Sequence, residues 1–232
     1  MNRDARQWIR LRIRRQIGKG EEKKTNHETR KERLANFLGH KIIIQKNVFP
    51  VDSPFSFSSK MTAKRMPKNV KSVLDVGTGT GVQAIVAAKK GAKKILAIDI
   101  DDHCLQNAKL NVAFHKLEKI ITIRKSDLFK NIKSDEKFDL IISQLPFADV
   151  DYKSKVGHFL FDSNFKLHDR FLKNAKKYLT KNGKIFIPSG DVAKEKRLIE
   201  LIKKYNYVVL SIDTETFQKL KWKLYTLIIN NK

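Results

Sequence analysis

Residues 73–99, VLDVGTGTGVQAIVAAKKGAKKILAID, connect two apolar runs through a glycine-rich turn and a stretch of small apolar residues. Their pattern predicts a strand over Ser72–Val76, a helix over Val82–Lys90 and a second strand over Ile95–Asp99. A helix between two strands is the repeating unit of a parallel sheet, because the helix returns the chain to the edge where the next strand begins. This stretch therefore decides the fold class.

The downstream sequence continues the alternation of strands and helices. Helices are predicted over Asp102–Phe114, Asn164–Leu179 (ended by the turn residues TKNG) and Val192–Tyr205. Strands are predicted over Ile120–Ile123, Phe138–Ser143, Lys184–Pro188, Tyr207–Ile212 and Leu224–Ile229. No helix separates the final two strands, so they should close the sheet as an antiparallel hairpin. The prediction is a doubly wound α/β fold with a mostly parallel sheet.

The upstream sequence divides into a basic arm and a short lead-in to the sheet. In residues 1–24, Ile9, Ile13 and Ile17 recur at helical spacing, but IRLRIR also alternates as a strand would, and both readings stay open. Residues 42–50 should be extended, and residues 51–66 should form a turn and a helix. We predict a basic extension over residues 1–40 and a folded domain over residues 41–232.

The composition limits the compartment and the class of protein. The chain has 232 residues, 41% of them hydrophobic, which is enough for one well-filled core. Its single cysteine, Cys104, excludes an intramolecular disulfide and fits a reducing cytoplasm. No apolar run approaches the roughly 20 residues of a membrane-spanning helix. The N-terminus lacks the apolar core of a secretory signal, and its carboxylates disfavour a mitochondrial presequence.

The net charge of +25 indicates a polyanionic partner. Residues 1–33 contribute +7, and the remaining residues contribute +18. A strong positive charge attracts nucleic acid through release of its counterions, so RNA or a ribosomal surface is the expected partner. A general lysine, isoleucine and asparagine bias from an AT-rich genome would produce a similar composition, and this alternative stays open.

The glycine loop GTGTG, residues 77–81, predicts a ligand at the start of the following helix. Gly77, Gly79 and Gly81 allow a tight turn and a close approach of the backbone to a ligand. Dinucleotide dehydrogenases use a similar loop, but their spacing requires a third glycine at position 82, which is valine here. Asp75, just before the loop, would repel a pyrophosphate and attract an ammonium group such as that of methionine.

Two further carboxylates follow the next two strands. Asp99 ends the second strand, where a carboxylate can accept hydrogen bonds from both ribose hydroxyls. Asp127, in KSDLF after the third strand, could accept from an adenine amino group. Because the carboxyl ends of parallel strands share one edge of the sheet, Asp75, Asp99 and Asp127 should line one crevice.

With these motifs, VLDVGTGTGVQAIVAAKKGAKKILAIDID resembles the nucleotide-binding half of class I S-adenosylmethionine-dependent methyltransferases, over roughly residues 45–230. The resemblance implies a seven-stranded Rossmann-like sheet with a reversed last strand, and S-adenosyl-L-methionine as cofactor. It places the methionine part near Asp75 and the glycine loop, the ribose at Asp99 and the adenine near Asp127. The residues expected to bind the cofactor are Asp75, Gly77, Thr78, Gly79, Gly81, Asp99, Ile100, Asp127, Leu128 and Gln144.

The corner after the fourth strand, Gln144-Leu145-Pro146-Phe147, resembles the Asn-Pro-Pro-Tyr/Phe motif of protein-glutamine and rRNA or DNA amino-group methyltransferases. In that branch the amide and a main-chain carbonyl hold a planar NH2 group while the aromatic ring stacks on it. Gln144, Pro146 and Phe147 are therefore the predicted catalytic residues. The longer Gln144 and the loss of the first proline at Leu145 depart from the motif, and a corner that only packs is the alternative.

The expected function is methylation of a nitrogen atom on an RNA base or on a ribosomal or other translation protein. The alternatives are an inactive methyltransferase fold that binds RNA or the ribosome, and a small-molecule methyltransferase, which the charge disfavours. The segment from Ala148 to Leu167 is long enough to form a lid over the substrate. Its His158 could accept a proton, although a lone loop histidine is more often solvated. No metal site is expected, and the sequence leaves the oligomeric state open.

Overall fold

The computed structural model describes residues 32–147 and 162–230. Within them nine strands follow in chain order: β1 (Arg33–Phe37), β2 (His40–Ile44), β3 (Ser72–Val76), β4 (Lys94–Asp99), β5 (Ile121–Lys125), β6 (Phe138–Ser143), β7 (Leu179–Gly190), β8 (Tyr207–Phe217) and β9 (Leu220–Ile229). The α-helices are α1 (Phe57–Arg65), α2 (Val82–Lys89), α3 (Asp102–Phe114), α4 (Lys166–Ala175) and α5 (Glu195–Lys204). The predicted arm in residues 1–24 and His158 lie outside the described residues.

Seven strands form the main sheet in the order β5-β4-β3-β6-β7-β9-β8. β3 pairs in parallel with β4 on one side and with β6 on the other. β9 is antiparallel to both of its neighbours, β7 and β8. The predicted Rossmann-like methyltransferase fold with a reversed last strand is confirmed.

Two clusters of buried side chains cover the two faces of this sheet. Val73 and Leu74 are adjacent in β3 but belong to different clusters, since side chains alternate along a strand. The β1–β2 hairpin, α1 and α2 contribute to the first cluster, and α4 and α5 contribute to the second. None of the helices in the described ranges is long and apolar enough to span a bilayer.

The β1–β2 hairpin is held to α3 by two buried asparagines. The side-chain amides of Asn107 and Asn111 donate to the carbonyl oxygen of Ile43 at 2.9 and 2.8 Å. Asn111 also accepts from the Ile43 N–H at 2.8 Å and donates to the Thr80 carbonyl oxygen at 2.9 Å. The hairpin therefore connects to the glycine loop, and the predicted domain boundary at residue 40 falls inside this hairpin, whose Phe37 is fully buried.

Helix α1 is anchored to the β8–β9 hairpin by aromatic and ionic contacts. The Phe57 ring stacks on Phe217 with 4.6 Å between centroids and lies 5.9 Å from the Trp222 ring. At the other end of the helix, the Arg65 guanidinium contacts Asp213 at 2.7 Å and Glu215 at 2.5 Å. These contacts fix the orientation of α1 relative to the end of the sheet.

The predicted helix over Asn164–Leu179 and its TKNG turn need correction. Asn164 and Phe165 have φ values of 57° and 55°, so the α-helix begins only at Lys166, and it gives way to a 3-10 turn after Ala175. TKNG, residues 180–183, lies within β7, where the pairing partner changes from Leu179 to Lys184 across an irregularity. Its Gly183 is required because a Cβ there would lie 2.8 Å from the carbonyl oxygen of Phe138.

Candidate active site

The glycine loop turns sharply between β3 and α2. Gly77, Gly79 and Gly81 have φ values of 74°, 54° and 82°, a backbone region that residues with a side chain rarely adopt. The N–H groups of Gly77 and Thr78 both donate to the carbonyl oxygen of Ile98 at 3.0 Å. The loop is therefore tied to the end of β4, which carries Asp99.

A cavity of about 310 Å³ opens at the carboxyl edge of the parallel strands. This is the edge predicted from the positions of the glycine loop and the carboxylates. Its lining includes most of the predicted site residues, namely Gly77, Thr78, Gly79, Asp99, Ile100, Asp127, Leu128, Gln144 and Pro146. Other lining residues were not predicted as site residues, among them Phe49, Ser56, Ser59, Gln83, Leu167 and Arg170.

Asp99 lines the cavity and organises the loop. One carboxylate oxygen accepts from the Gly79 N–H at 3.0 Å, and the other accepts from the Asp101 N–H at 3.0 Å. A carboxylate offers about four lone-pair sites, so these two bonds do not use its full acceptor capacity. Burial raises the pKa of Asp99 above its usual value, partly opposed by the backbone N–H groups.

Asp127, which follows β5 and lines the cavity, is paired with cations. Arg170, on α4, donates to both oxygens of Asp127 at 2.8 and 2.7 Å, and Lys130 approaches at 2.8 Å. The Arg170 hydrogen bonds, followed by that from Lys130, lower the pKa of Asp127. Arg170 thus brings α4 to the cavity and holds Asp127 ionised.

Gln144 holds the corner after β6 against both the glycine loop and α1. Its N–H donates to the Val76 carbonyl oxygen at 2.9 Å. Its side-chain oxygen accepts from the Ser59 hydroxyl at 2.8 Å, and its side-chain NH2 group donates to the Thr62 hydroxyl at 3.3 Å. A Cβ at Gly77 would lie 3.1 Å from the Gln144 carbonyl oxygen, so glycine there lets the loop and the corner meet.

The structure does not bring three of the predicted site residues to the cavity lining: Asp75, Gly81 and Phe147. The Phe147 ring is half-buried and packs edge-on against Trp222, with 6.2 Å between centroids. Gly81, the last residue of the loop, packs against α3, where a Cβ would be 3.3 Å from Ala108. The predicted catalytic triplet is therefore split: Gln144 and Pro146 face the cavity, while the Phe147 ring packs beside it.

Asp75 lies beneath the glycine loop and is fully buried. One of its carboxylate oxygens accepts from the Thr78 hydroxyl at 2.7 Å. Its other oxygen has no hydrogen-bond partner among the described residues. Burial raises the pKa of Asp75 to about 7, with hydrogen bonds from Thr78 and the Ala84 backbone opposing the shift. Asp75 consequently supports the loop from below.

This buried carboxyl should make the stability of the fold depend on pH. The folded pKa lies above the unfolded one, so the stabilisation is complete below pH 4 and is lost as the pH rises through about 7. Between these values the free energy of unfolding should fall by up to about 1.4 kcal/mol per pH unit. In Asp75→Asn this component should vanish, which thermal melting at pH 5, 6, 7 and 8 would measure. Asp102→Asn, at an exposed carboxylate, is the matched control; equal pH profiles for Asp75→Asn and the wild type would contradict this account.

Sequence reasoning missed several residues of the cavity for different physical reasons. Gln83 had a local signal, because it is the one polar residue in the apolar run of residues 82–88. Ser59 sits in the serine-rich start of α1, where nothing distinguishes it from its neighbours. Arg170 reaches Asp127 across 43 residues of chain, a distance that no local pattern encodes. In the described part of the chain, no cluster of three or more His, Cys, Asp or Glu side chains could hold a metal ion.

Known proteins similar to this chain include methyltransferases. The model of a family described as the methyltransferase small domain matches residues 39–218. A putative protein N5-glutamine methyltransferase of Methanocaldococcus jannaschii is 34% identical over 145 residues, which cover 60% of this chain and 72% of that protein. A ribosomal protein L11 methyltransferase of Caldicellulosiruptor saccharolyticus is 32% identical over 176 residues, covering 72% of this chain and only 50% of that relative.

Solved structures of similar fold include enzymes named for protein and for tRNA substrates. The ribosomal protein L11 methylase of Lactobacillus delbrueckii subsp. bulgaricus has a TM-score of 0.60 and 20% identity, covering 85% of this chain and 99% of that one. The M. jannaschii tRNA m1G37 methyltransferase has a TM-score of 0.63 and 24% identity, covering 88% and 59%. At these identities the likeness establishes the fold alone.

Proposed function

Since the chain belongs to the methyltransferase small domain family, we propose that it transfers a methyl group from S-adenosylmethionine to a nitrogen atom of an RNA base in the translation apparatus. The chain is a methyltransferase by family, and the family implies this methyl donor. The acceptor and the roles of individual residues are our proposal. They rest on the geometry of the cavity and on the charge of the chain.

The cavity has the groups that S-adenosylmethionine requires. Two glycines, Gly77 and Gly79, border it without side chains, so the backbone can approach the ligand closely. The free lone pairs of Asp99 suit the two ribose hydroxyls, and the exposed Ile100 offers an apolar surface beside them for the adenine ring. When bound, the cofactor supplies an electrophilic methyl group on its sulfonium sulfur.

The corner at Gln144 is suited to holding the acceptor nitrogen. Ser59 and Thr62 fix the side-chain amide, and the Ser59 hydrogen bond uses only one of the two lone pairs on its oxygen. The second lone pair can accept from an N–H of the acceptor, and the Leu145 carbonyl oxygen can accept from the other. Methyl transfer is an in-line displacement, so holding the nitrogen in line with the methyl group supplies much of the rate enhancement.

The positive charge is the observation that most supports RNA as the acceptor of the methyl group. Residues 34–232 alone carry a net charge of +18. Ion pairs such as Arg124 with Glu136 and Lys204 with Asp169 carry no net charge, so the excess of +18 belongs to basic residues beyond those the acids balance. A folded domain with this excess binds polyanions through counterion release.

A protein side chain is the second candidate acceptor. The putative N5-glutamine methyltransferase relative favours it, because that protein is named for transfer to a side-chain amide and shares most of its length with this chain. A glutamine side chain also ends in a planar NH2 group. The Gln144 side-chain oxygen and the Leu145 carbonyl oxygen would accept hydrogen bonds from it in the same way.

One experiment distinguishes RNA from protein as the acceptor of the methyl group. The protein and S-adenosylmethionine with a labelled methyl group are incubated with total RNA, with a ribosome fraction and with small metabolites from a related organism. We expect label in RNA, in amounts that fall steeply between 50 and 200 mM salt. If the label instead remains with the protein after nuclease treatment, the methyl acceptor is a protein side chain. Bound cofactor without label in any fraction would overturn the enzymatic proposal and indicate a binding protein.

A further inference from the structure

Gln83 combines deep burial, a fixed orientation and a missing hydrogen bond. It is the second residue of α2, directly after the glycine loop, and its side chain is 1% exposed. Its NH2 group donates to the Ser59 carbonyl oxygen at 2.8 Å. Because a carbonyl oxygen can only accept, this bond requires the nitrogen of the amide on that side. The amide oxygen must therefore lie on the opposite side.

That oxygen is buried without a hydrogen-bond donor, in a residue that lines the cavity. Of the buried side-chain atoms without a hydrogen-bond partner in the described ranges, only the Gln83 oxygen belongs to a residue that lines the cavity. Two neighbouring hydroxyls are engaged as donors: that of Ser56 donates to the Pro50 carbonyl oxygen at 2.6 Å, and that of Ser59 donates to the Gln144 side-chain oxygen. A buried amide oxygen left without a donor costs free energy. A ligand with an N–H or O–H group at this position would remove that cost.

The position of Gln83 identifies which end of the cofactor it meets. Asp99 and Asp127 follow the neighbouring strands β4 and β5, at the end of the cavity to which we assign the adenosine part. The end lined by Gly77, Ser59 and Gln83 is left for the methionine part, which carries an ammonium group and a carboxylate. An acceptor oxygen attracts the ammonium group and repels the carboxylate.

We propose that the side-chain oxygen of Gln83 accepts a hydrogen bond from the α-ammonium group of bound S-adenosylmethionine. Asp75, the residue expected from sequence to attract this group, lies under the loop instead. The proposal rests on the proposed cofactor and assigns the recognition of its amino group to a neutral amide. Through Ser59, the same amide also connects the methionine end of the cavity to the Gln144 corner.

The test compares two ligands that differ only beyond the thioether. S-adenosylhomocysteine carries the amino-acid part, and 5′-methylthioadenosine lacks it. In Gln83→Met, which keeps the length of the side chain and removes the acceptor, calorimetry should show S-adenosylhomocysteine affinity about 10-fold lower. Affinity for 5′-methylthioadenosine should stay within about twofold of the wild type. Gln83→Leu, the second variant, should give the same ratio of the two affinities.

Each outcome has a separate meaning. Unchanged S-adenosylhomocysteine affinity in both variants would overturn the assignment of Gln83, and so would an equal loss for both ligands, which indicates a distorted loop. A decarboxylated S-adenosylhomocysteine that keeps its amino group should show the same 10-fold loss; if it does not, the amide acts on the carboxylate side and the proposal is wrong. A wild-type protein that binds neither ligand would instead refute the proposed cofactor.

Discussion

A Gln144→Ala variant is expected to transfer methyl groups about 100-fold more slowly than the wild type. The change removes the amide oxygen that would accept a hydrogen bond from the substrate nitrogen. It also removes the two hydrogen bonds that fix the corner to Ser59 and Thr62. Affinity for S-adenosylhomocysteine should stay within about twofold, because the ribose and adenine contacts belong to other elements. Single-turnover rates with a saturating acceptor, together with calorimetry, measure the two effects separately.

Two further variants separate positioning from packing at this corner. Ser59→Ala removes the hydroxyl that orients the amide and leaves Gln144 in place, so it should slow transfer by a smaller factor, about 10-fold, without lowering the melting temperature appreciably. Gln45→Ala, an equal truncation on the surface beside Glu32, should change neither rate nor affinity. A Gln144→Ala enzyme that keeps full turnover and loses only melting temperature would show that the corner serves packing alone.

Asp99→Ala should weaken the binding of S-adenosylhomocysteine by about 10- to 100-fold. Loss of charge-assisted hydrogen bonds to the two ribose hydroxyls accounts for roughly 1.5–3 kcal/mol. The loss of the bond to the Gly79 N–H adds to the effect, because it frees the loop that faces the ligand. Calorimetry with S-adenosylhomocysteine and with adenosine gives the measurement, and both ligands should be affected since both carry the ribose.

The control for this change is Asp102→Ala, three residues further along the chain. Asp102 is an exposed carboxylate in the first turn of α3 that pairs with Lys125 and does not line the cavity. Its loss alters the net charge equally, so any general electrostatic effect on the ligand appears in both variants. Equal affinities for Asp99→Ala and Asp102→Ala would refute the ribose assignment.

The elements with strong local patterns were predicted from sequence almost to the residue. The bounds of α3 and β6 agree with the prediction, because acidic residues start the helix and the apolar run Leu140–Ile142 forms the centre of the strand. Strand β1 was missed. Only Ala35 and Phe37 of its five residues are buried, and its turn places Leu38 at a φ of 51°, which is unusual for leucine. The polar Arg33 shares a face with these two residues and the apolar Leu34 is exposed, so the sequence shows no clear alternation.

The site was predictable where it follows from topology and less so where it depends on packing. Asp99 and Asp127 share the cavity because the strand ends share an edge. The place of Asp75 depended on the direction of one side chain at the end of β3, which a period-two pattern leaves ambiguous between a cavity and the space beneath a loop. The direction of the Phe147 ring was equally unpredictable. The ring packs against Trp222 of β9, a residue distant in sequence, and therefore lies beside the cavity and not in it.

The reversed strand also sets an order of assembly during synthesis. β8 pairs only with β9 in the main sheet, so it has no place there until β9 has left the ribosome. Trp222, Leu224 and Tyr225 of β9 are almost fully buried, and Phe57 of α1 rests on Trp222. The edge of the cavity formed by β3, β4 and β5 can therefore form before α1 reaches its final position. The Gln144 corner and the Gln83 amide, which Ser59 of α1 holds, take their final positions only after β9 is in place.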